Sequence, residues 1–312
     1  MNVLEDTNNN PAGVICAANA SRFDQAHFSQ PLTTYALGYR DPENLEDLLR
    51  LVTGTPIPAP SKFEYVEFEN KDAFVVDSDD RRAIRGEFKR VELSSEKAVA
   101  KLENHGLTYR LDRDEIGEGD TMSEERAVGH LIQRVHRNSL YRALQLLDAS
   151  AINTAKTWNG SADPDQQMEA ELIAASDITG IRPSMVLMGE TAASIRRTAL
   201  RSQNNAGAYG NASYTPAQIG EYLGTSVAVI KSRYQKTQAS KSQMLGNKVL
   251  IYEKSDSTFL VDPSNIKRFI KSGGIKVYRN EVGPKFIDLT VEHYELTKMV
   301  STLGVRSLTI SS

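Results

Sequence analysis

The apolar positions divide this chain into stretches of different period. Residues 1–30 show no sustained period, and the first clear element follows them. Asp41 stands as an N-cap acid, Pro42 takes the first helical position, and Leu45, Leu48, Leu49 and Val52 share one side before Gly54 ends the helix. The alternate prolines of Pro56-Ile57-Pro58-Ala59-Pro60 then impose a stiff, extended spacer, because proline donates no hydrogen bond to a helix or a central strand. A segment tethered in this way is expected to be an arm.

From Lys62 to Leu93 the pattern reads as two strands around a charged tip. Phe63, Tyr65, Val66, Phe68, Phe74, Val75 and Val76 precede the tip Asp77-Ser78-Asp79-Asp80-Arg81-Arg82, and Ile84, Phe88, Val91 and Leu93 follow it. The alternation changes phase in both strands, which implies bulges or a twisted ribbon. A two-stranded ribbon of this length is marginal in water, so its apolar face needs support. That support is either a sheet of the same chain or a neighbouring subunit, and periodicity does not choose between them.

Thr121-Met122-Ser123-Glu124 matches a capping box, and Val128, Leu131, Ile132, Val135, Ser139, Ala143, Leu146 and Leu147 then mark one helical face. With no proline before Pro164, the spacing predicts a helix from Met122 to Lys156, on the order of 50 Å long at about 1.5 Å per residue. The period is not a strict heptad, which favours a spine across a flat domain over a coiled coil.

Beyond it, residues 163–252 read as mixed α/β. Helices are expected at Pro164–Ala175, at Thr191–Leu200 and from Thr215-Pro216 to Gly224. Strands are expected at Met185–Met188 and Val227–Ile230, and Ser202–Ser213 reads as a surface loop. The tail is strand-rich, with Val249–Tyr252, Phe259–Val261, Ile275–Tyr278, Phe286–Val300 and Val305–Ile310 closing back on earlier parts and on the long helix.

Composition narrows the function. In 312 residues, 37 Lys and Arg stand against 40 Asp and Glu, a formal charge of −3 that argues against a dedicated DNA-binding protein. The single cysteine, Cys16, allows neither an intrachain disulfide nor a thiolate zinc site, and nothing near it in sequence lowers its pKa toward nucleophilic use. The start is polar and Asn-rich and no run of about 18 apolar residues occurs, so neither a signal peptide nor a membrane span is expected. No Gly-rich phosphate loop, nucleophile elbow or His-Glu-x-x-His helix is present. Among His27, His105, His130, His136 and His293, only His130 and His136 share an element, about 120° apart around it, and read as solvated or capping rather than as a metal pair. Asp112-Arg113-Asp114 with Gly117 suggests a calcium loop, but Ile116 and Ser123 stand where oxygen ligands belong, so these acids read as a polar lead into the long helix. The basic pairs Arg81-Arg82 and Lys89-Arg90 are cancelled by Asp77, Asp79, Asp80, Glu87 and Glu92, and this mixed sign suits contacts between copies. Trp158 reads as a packing anchor. No catalytic residue, cofactor or metal site is expected.

The order of elements resembles the major capsid proteins of tailed bacteriophages, the Hong Kong phage capsid fold, from about Phe63 to Ile310. The stretches that carry it are His105-Gly106-Leu107 leading to Leu111-Asp112-Arg113-Asp114-Glu115, Trp158 before Asp163-Pro164, and Gly180-Ile181-Arg182-Pro183-Ser184 feeding Met185–Met188. It continues through Ile219–Gly224, Arg233-Tyr234 with Ser240-Lys241-Ser242, Asn247–Tyr252 and Leu303-Gly304-Val305-Arg306.

The resemblance implies an α+β subunit with an N-terminal arm (1–61), an E-loop ribbon (62–93), a P-domain (94–160 and 256–300), an A-domain (161–255) and a C-terminal strand (301–312) joining the A-domain. It implies a structural head protein, not an enzyme, that is made in the host cytoplasm and resides in the virion. Its copies would form hexamers and pentamers with a portal and enclose double-stranded DNA without reading sequence or touching a membrane. Ser202–Ser213 would be an A-domain loop near the capsomer axes. Phe63, Tyr65, Phe68, Arg81, Arg82 and Phe88 are the expected assembly contacts. Some relatives weld a Lys of the ribbon to an Asn of the P-domain strand, but here Asp288 stands at that position, so no crosslink is expected. No room for a scaffolding segment exists before the ribbon, which implies a separate scaffolding protein. An encapsulin-type nanocompartment shell shares the fold and is the nearest rival, and a hydrolase centred on Ser184–Glu190 is a remoter one.

Overall fold

A computed structural model describes residues 27–67, 96–115, 122–203, 205–235, 240–257 and 263–312. Helices α1 (Gln30–Gly38) and α2 (Leu45–Thr53) come first, followed by strand β1 (Ile57–Pro58), the antiparallel pair β2 (Lys62–Glu67) and β3 (Glu96–Lys101), and strand β4 (Glu103–Asp112). Helix α3 (Met122–Ser150) runs into β5 (Ile152–Thr157), and then come α4 (Pro164–Thr179), β6 (Met185–Gly189), α5 (Glu190–Ser202), α6 (Ala206–Asn211), α7 (Pro216–Leu223) and β7 (Ser226–Ile230). A two-residue pair, β8 (Arg233–Tyr234) with β9 (Ser242–Gln243), precedes β10 (Lys248–Tyr252), β11 (Ile266–Ile270), β12 (Lys276–Val282), β13 (Phe286–Met299) and β14 (Arg306–Ser311). Among the described residues no helix is long and apolar enough to cross a membrane.

Two sheets organise the chain. In the first, β13 is the axis: Leu289 pairs with Tyr109 of β4 on one edge and with Arg279 of β12 on the other. Further along, β11 takes over that second edge, and β1 lies parallel to β11. The second sheet has the order β5-β14-β10-β6-β7, with β5 parallel to β14 and β6 parallel to β7.

Helix α3 joins the two. Near its start, Val128, Leu131 and Ile132 pack with Ile287, Leu289 and Val291 of β13, and near its end Leu140, Ala143, Leu144 and Leu147 pack with Leu187 and Leu250 of the second sheet. Helices α4, α5 and α7 cover that sheet's opposite face, burying Met168, Leu172, Ala192, Ile219 and Leu223 with Trp158 on Val186, Met188, Val249 and Ile251. Trp158 is indeed an anchor, and its Nε1 donates to Gln167 Oε1 at 3.0 Å. Gly180 and Gly224 end α4 and α7 in the left-handed conformation that glycine adopts without strain.

The structure departs from the sequence expectations in several places. The first amphipathic helix begins at Leu45, because the buried Asp41 carboxylate accepts from the backbone N of Glu43 (2.8 Å) and Leu45 (3.0 Å) and folds Pro42 into a turn. It does not stand off as a loose arm, since Leu45, Leu49 and Val52 are fully buried against α3. Helix α3 stops at Ser150 rather than Lys156, because β-branched Ile152, Thr154 and Thr157 enter a six-residue parallel ladder with β14. Ser202–Ser213 is not all loop: Asn205 caps the six-residue α6 by accepting from Gly207 N at 2.9 Å. The capping-box Thr121 and the expected strand Phe259–Val261 lie outside the described residues, while Glu124 accepts from Arg279 Nε at 3.1 Å.

Leu140 has no exposed surface and packs at the junction of α2, α3 and the second sheet. Leu140→Ala is expected to lower unfolding free energy by about 2–5 kcal/mol through the cavity it leaves. The exposed Val99→Ala is expected to change it by less than about 0.5 kcal/mol. Urea denaturation of both variants beside the parent checks the contrast.

Candidate assembly site

The root of the expected ribbon is the β2–β3 pair, with Phe63 opposite Ala100 and Tyr65 opposite Ala98. Its apolar face rests on this chain's own first sheet: the rings of Phe63 and Phe269 stand 4.6 Å apart, Tyr65 and Phe269 6.2 Å, and Lys298 Nζ lies 5.2 Å from the Tyr65 ring centre. Tyr65 is 1% exposed and Phe63 is half-buried. Within the subunit Phe269 thus covers the Tyr65 ring, while Phe63 keeps part of its surface. The strand opposite is Glu96–Lys101, which the sequence reading did not assign. Phe68, Arg81, Arg82 and Phe88, with the expected strand Ile84–Leu93, lie outside the described residues.

On the neighbouring edge, Asp288 of β13 is buried and accepts from Arg110 of β4 through Nε (2.7 Å) and Nη2 (3.0 Å), a bidentate pair across the ladder. The same guanidinium lies 5.5 Å from the Phe286 ring centre, and the Thr108 and Thr290 hydroxyls meet at 2.8 Å. The acids of the apparent calcium loop turn to local partners. Asp112 accepts from Asp114 N at 3.0 Å, and Asp114 accepts from Lys285 Nζ at 3.1 Å. Among the described residues no group of three or more His, Cys, Asp or Glu side chains is arranged to hold a metal ion. Ser184, at the start of the remoter rival's Ser184–Glu190 stretch, bridges backbone, donating to Lys254 O (2.9 Å) and accepting from Lys254 N (3.0 Å).

Where α2, α3, β11 and β13 meet, the core contains charge. Arg268 of β11 donates to Glu295 of β13 through Nε and to Glu46 of α2 through Nη1, both at 2.8 Å, and Arg142 of α3 donates to the other Glu295 oxygen at 2.9 Å. His293 Nε2 lies 2.9 Å from Glu295 Oε2, and His136 Nε2 lies 3.6 Å from Glu46 Oε2. Burial opposes ionisation of Glu295, yet His293, Arg268 and Ser139 together hold its carboxyl far below the usual carboxylate range. Burial likewise works against Glu46, but Arg268, with His136 and Arg50 beside it, lowers its pKa. His136 is lowered by burial first and by Arg268 and His293 after it, while His105 is lowered by burial and by Arg142.

Sequence reasoning missed this cluster. It grouped His136 with His130 as solvated or capping, whereas His130 is exposed and His136 is buried. The signal was present in the spacing, since His136 stands three and seven residues before Ser139 and Ala143 on the apolar face.

No family model matches the sequence, and no curated protein matches it. Solved structures do match. A phage-related protein from Bordetella bronchiseptica superposes with a TM-score of 0.64 at 16% identity over 90% of this chain and 96% of that one. The capsid of a native GTA particle gives 0.56 at 9% identity over 85% and 90%. The capsid of the cyanophage P-SCSP1u gives 0.50 at 9% identity over 88% and 90%. The fold is that of tailed-phage capsid proteins. It is shared over most of the chain, as the order of elements implied, while little of the sequence is.

The buried cluster makes a pH dependence. The folded pKa of His136 and of His105 lies below its ordinary value of 6.5, so the unfolded chain takes up protons first as pH falls through that value and stability is lost below it. Glu46 and Glu295, also lowered, add a second loss as pH falls below their ordinary value of 4.5. Calorimetry of the full chain from pH 8 downward is expected to show Tm falling through both windows, with the upper step shallower in His136→Gln. A Tm that stays flat between pH 7 and 5 would contradict this account.

Proposed function

We propose that this chain is the major capsid protein of a tailed double-stranded DNA phage or of a GTA-like particle, a structural subunit without catalytic activity. The observation that supports it most is the match to capsid structures over 85–88% of the chain. Physical features agree with it. A shell subunit needs heterologous contacts that close into rings, made by elements that do not bury their own surfaces. In this reading the first sheet with α3 is the P-domain, the second sheet with α4 to α7 is the A-domain, and the ribbon rooted at Phe63 and Tyr65 is the E-loop. Phe68, Arg81, Arg82 and Phe88 are then its contacts with neighbouring copies in hexamers and pentamers, with a portal and a separate scaffolding protein as further partners.

Electron microscopy of the expressed protein, together with its scaffolding partner where required, is expected to show closed icosahedral shells. Phe68→Ser with Phe88→Ser is expected to abolish the shells while leaving cooperative unfolding of the subunit intact. Shells from the double variant would remove the ribbon from the interface. Enzyme cargo in native particles, in place of DNA, would turn the reading toward a nanocompartment.

Crosslinking is a separate matter. Asp288 offers no amide to a lysine, and both its oxygens are held by Arg110. Boiled particles on a denaturing gel are therefore expected to run as a single monomer band, and a ladder above it would refute this.

A further inference from the structure

The exposed side of α3 is cationic. Arg126, His130, Gln133, Arg134 and Arg137 recur at three- and four-residue spacing and share one face. No acid stands three or four residues from any of them along the helix. This face runs into an open cleft of about 780 Å³ between α3 and the β7–β8 connection, whose mixed lining takes in Arg137, Lys231, Arg233 and Lys241 beside the acid Glu43 and the apolar Leu48 and Val229. Tyr141 of α3 and Tyr234 of β8 hold the two sides together with ring centres 4.6 Å apart.

Some of the charge is cancelled locally, since Arg137 pairs with Glu43 and Arg233 with Glu190, each at 2.6 Å. Arg126, Arg134, Lys231 and Lys241 are exposed and have no acidic partner among the described residues. Two such cations on α3, Arg126 and Arg134, and two at the cleft, Lys231 and Lys241, are a local excess among the described residues of a chain whose formal charge is −3.

We infer that this face of α3 and the adjoining cleft form a sequence-independent contact for the phosphate backbone of double-stranded nucleic acid. The inference rests on the shell reading, in which one side of each subunit meets packaged DNA, and it assigns that side to residues. Two observations favour phosphate over protein. The cations follow one another along a rigid rod, with Arg126 and Arg134 about 12 Å apart along the axis, as suits a polymer of evenly spaced charge. None of the large exposed apolar side chains among the described residues lies on α3, and Leu48, Val229 and Tyr234 in the cleft are only partly exposed, so the surface offers little of the apolar centre on which protein interfaces are built. Polar side chains such as Gln133 between the cations suit backbone contact and do not by themselves read bases. With four charges the attraction is weak and reversible by salt, which is compatible with filling and emptying a container.

The test is fluorescence anisotropy of the soluble full chain with short labelled duplexes of two unrelated sequences across a sodium chloride series. Equal affinity for both duplexes is expected, with log K against log salt falling at a slope of about −3 to −4. Combined Arg126→Ala, Arg134→Ala, Lys231→Ala and Lys241→Ala should cost at least tenfold in affinity and bring the slope near zero, whereas Arg126→Lys with Arg134→Lys should retain it. An unchanged slope in the fourfold variant would overturn the assignment. So would tighter binding of polyglutamate than of duplex at equal salt, which would point to an acidic protein segment. Micrographs separate this result from the shell reading: failure of the parent chain to form shells counts against that reading alone, while shells from a fourfold variant that has lost duplex binding support both.

Discussion

Helix α3 and strand β13 are nearly equal in length, and the subunit depends on that match. The helix has 29 residues, about 43 Å at 1.5 Å per residue, and the strand has 14, about 46 Å at 3.3 Å per residue. They run side by side in the same direction: Val128 and Ile132 share a cluster with Ile287 and Leu289, Arg142 bonds Glu295, and Leu147 shares a cluster with Met299. Neither could bury its apolar side alone. The other strands of the first sheet take their register from β13, which pairs with β4 on one edge and with β12 and then β11 on the other. The last turns of the helix also pack with Leu187 and Leu250 of the second sheet, so one rod sets the position of both.

Midway along this seam the apolar contact gives way to charge. Two carboxylates, Glu46 and Glu295, face two guanidinium groups, Arg142 and Arg268, and Glu295 is almost wholly enclosed. Such a cluster adds little net stability over an apolar packing of equal volume, because desolvating each charge costs several kcal/mol. Its effect is on geometry. Arg268 reaches its two carboxylates only if α2 and β13 are both in place, so the polar network specifies where the segment before the ribbon must sit. Glu46 Oε2 has no hydrogen-bond partner although it is buried, and the nearby imidazole of His136 is 3.6 Å away, so a proton added here changes a closed balance.

The sequence carried the long helix, its apolar face, the α/β alternation and the terminal strands because these have clean periods over many residues. Its errors have physical causes. Helix and strand propensity compete over residues 151–157, and only pairing with β14, about 150 residues away in sequence, decides the outcome. Strand β4 alternates weakly, with Tyr109 exposed and Gly106 inside it, and is fixed by its ladder to β13 rather than by its own pattern. Tyr65 and Phe63 were legible as an apolar face in need of cover, but nothing local showed that Phe269 would supply it. Long-range ion pairs such as Arg268 with Glu46 leave no mark at all in a periodicity analysis.

Net charge is an average, and the fold distributes its parts unevenly. Many acids are consumed inside the molecule: Asp165 binds Arg196 in the second sheet's cover, Asp288 binds Arg110, and Asp148 binds Lys248. Each such pair removes one charge of either sign from the outer field, so it leaves the total unchanged while altering what remains exposed. What remains is set by which helical faces the core requires. The apolar face of α3 is committed to β13 and the second sheet, and while Arg142 turns inward to Glu295, that commitment places Arg126, Arg134 and Arg137 together on the opposite side, where no acid of the same helix is in register to cancel them. A nearly neutral chain therefore presents a cationic face as a direct consequence of how its spine helix packs.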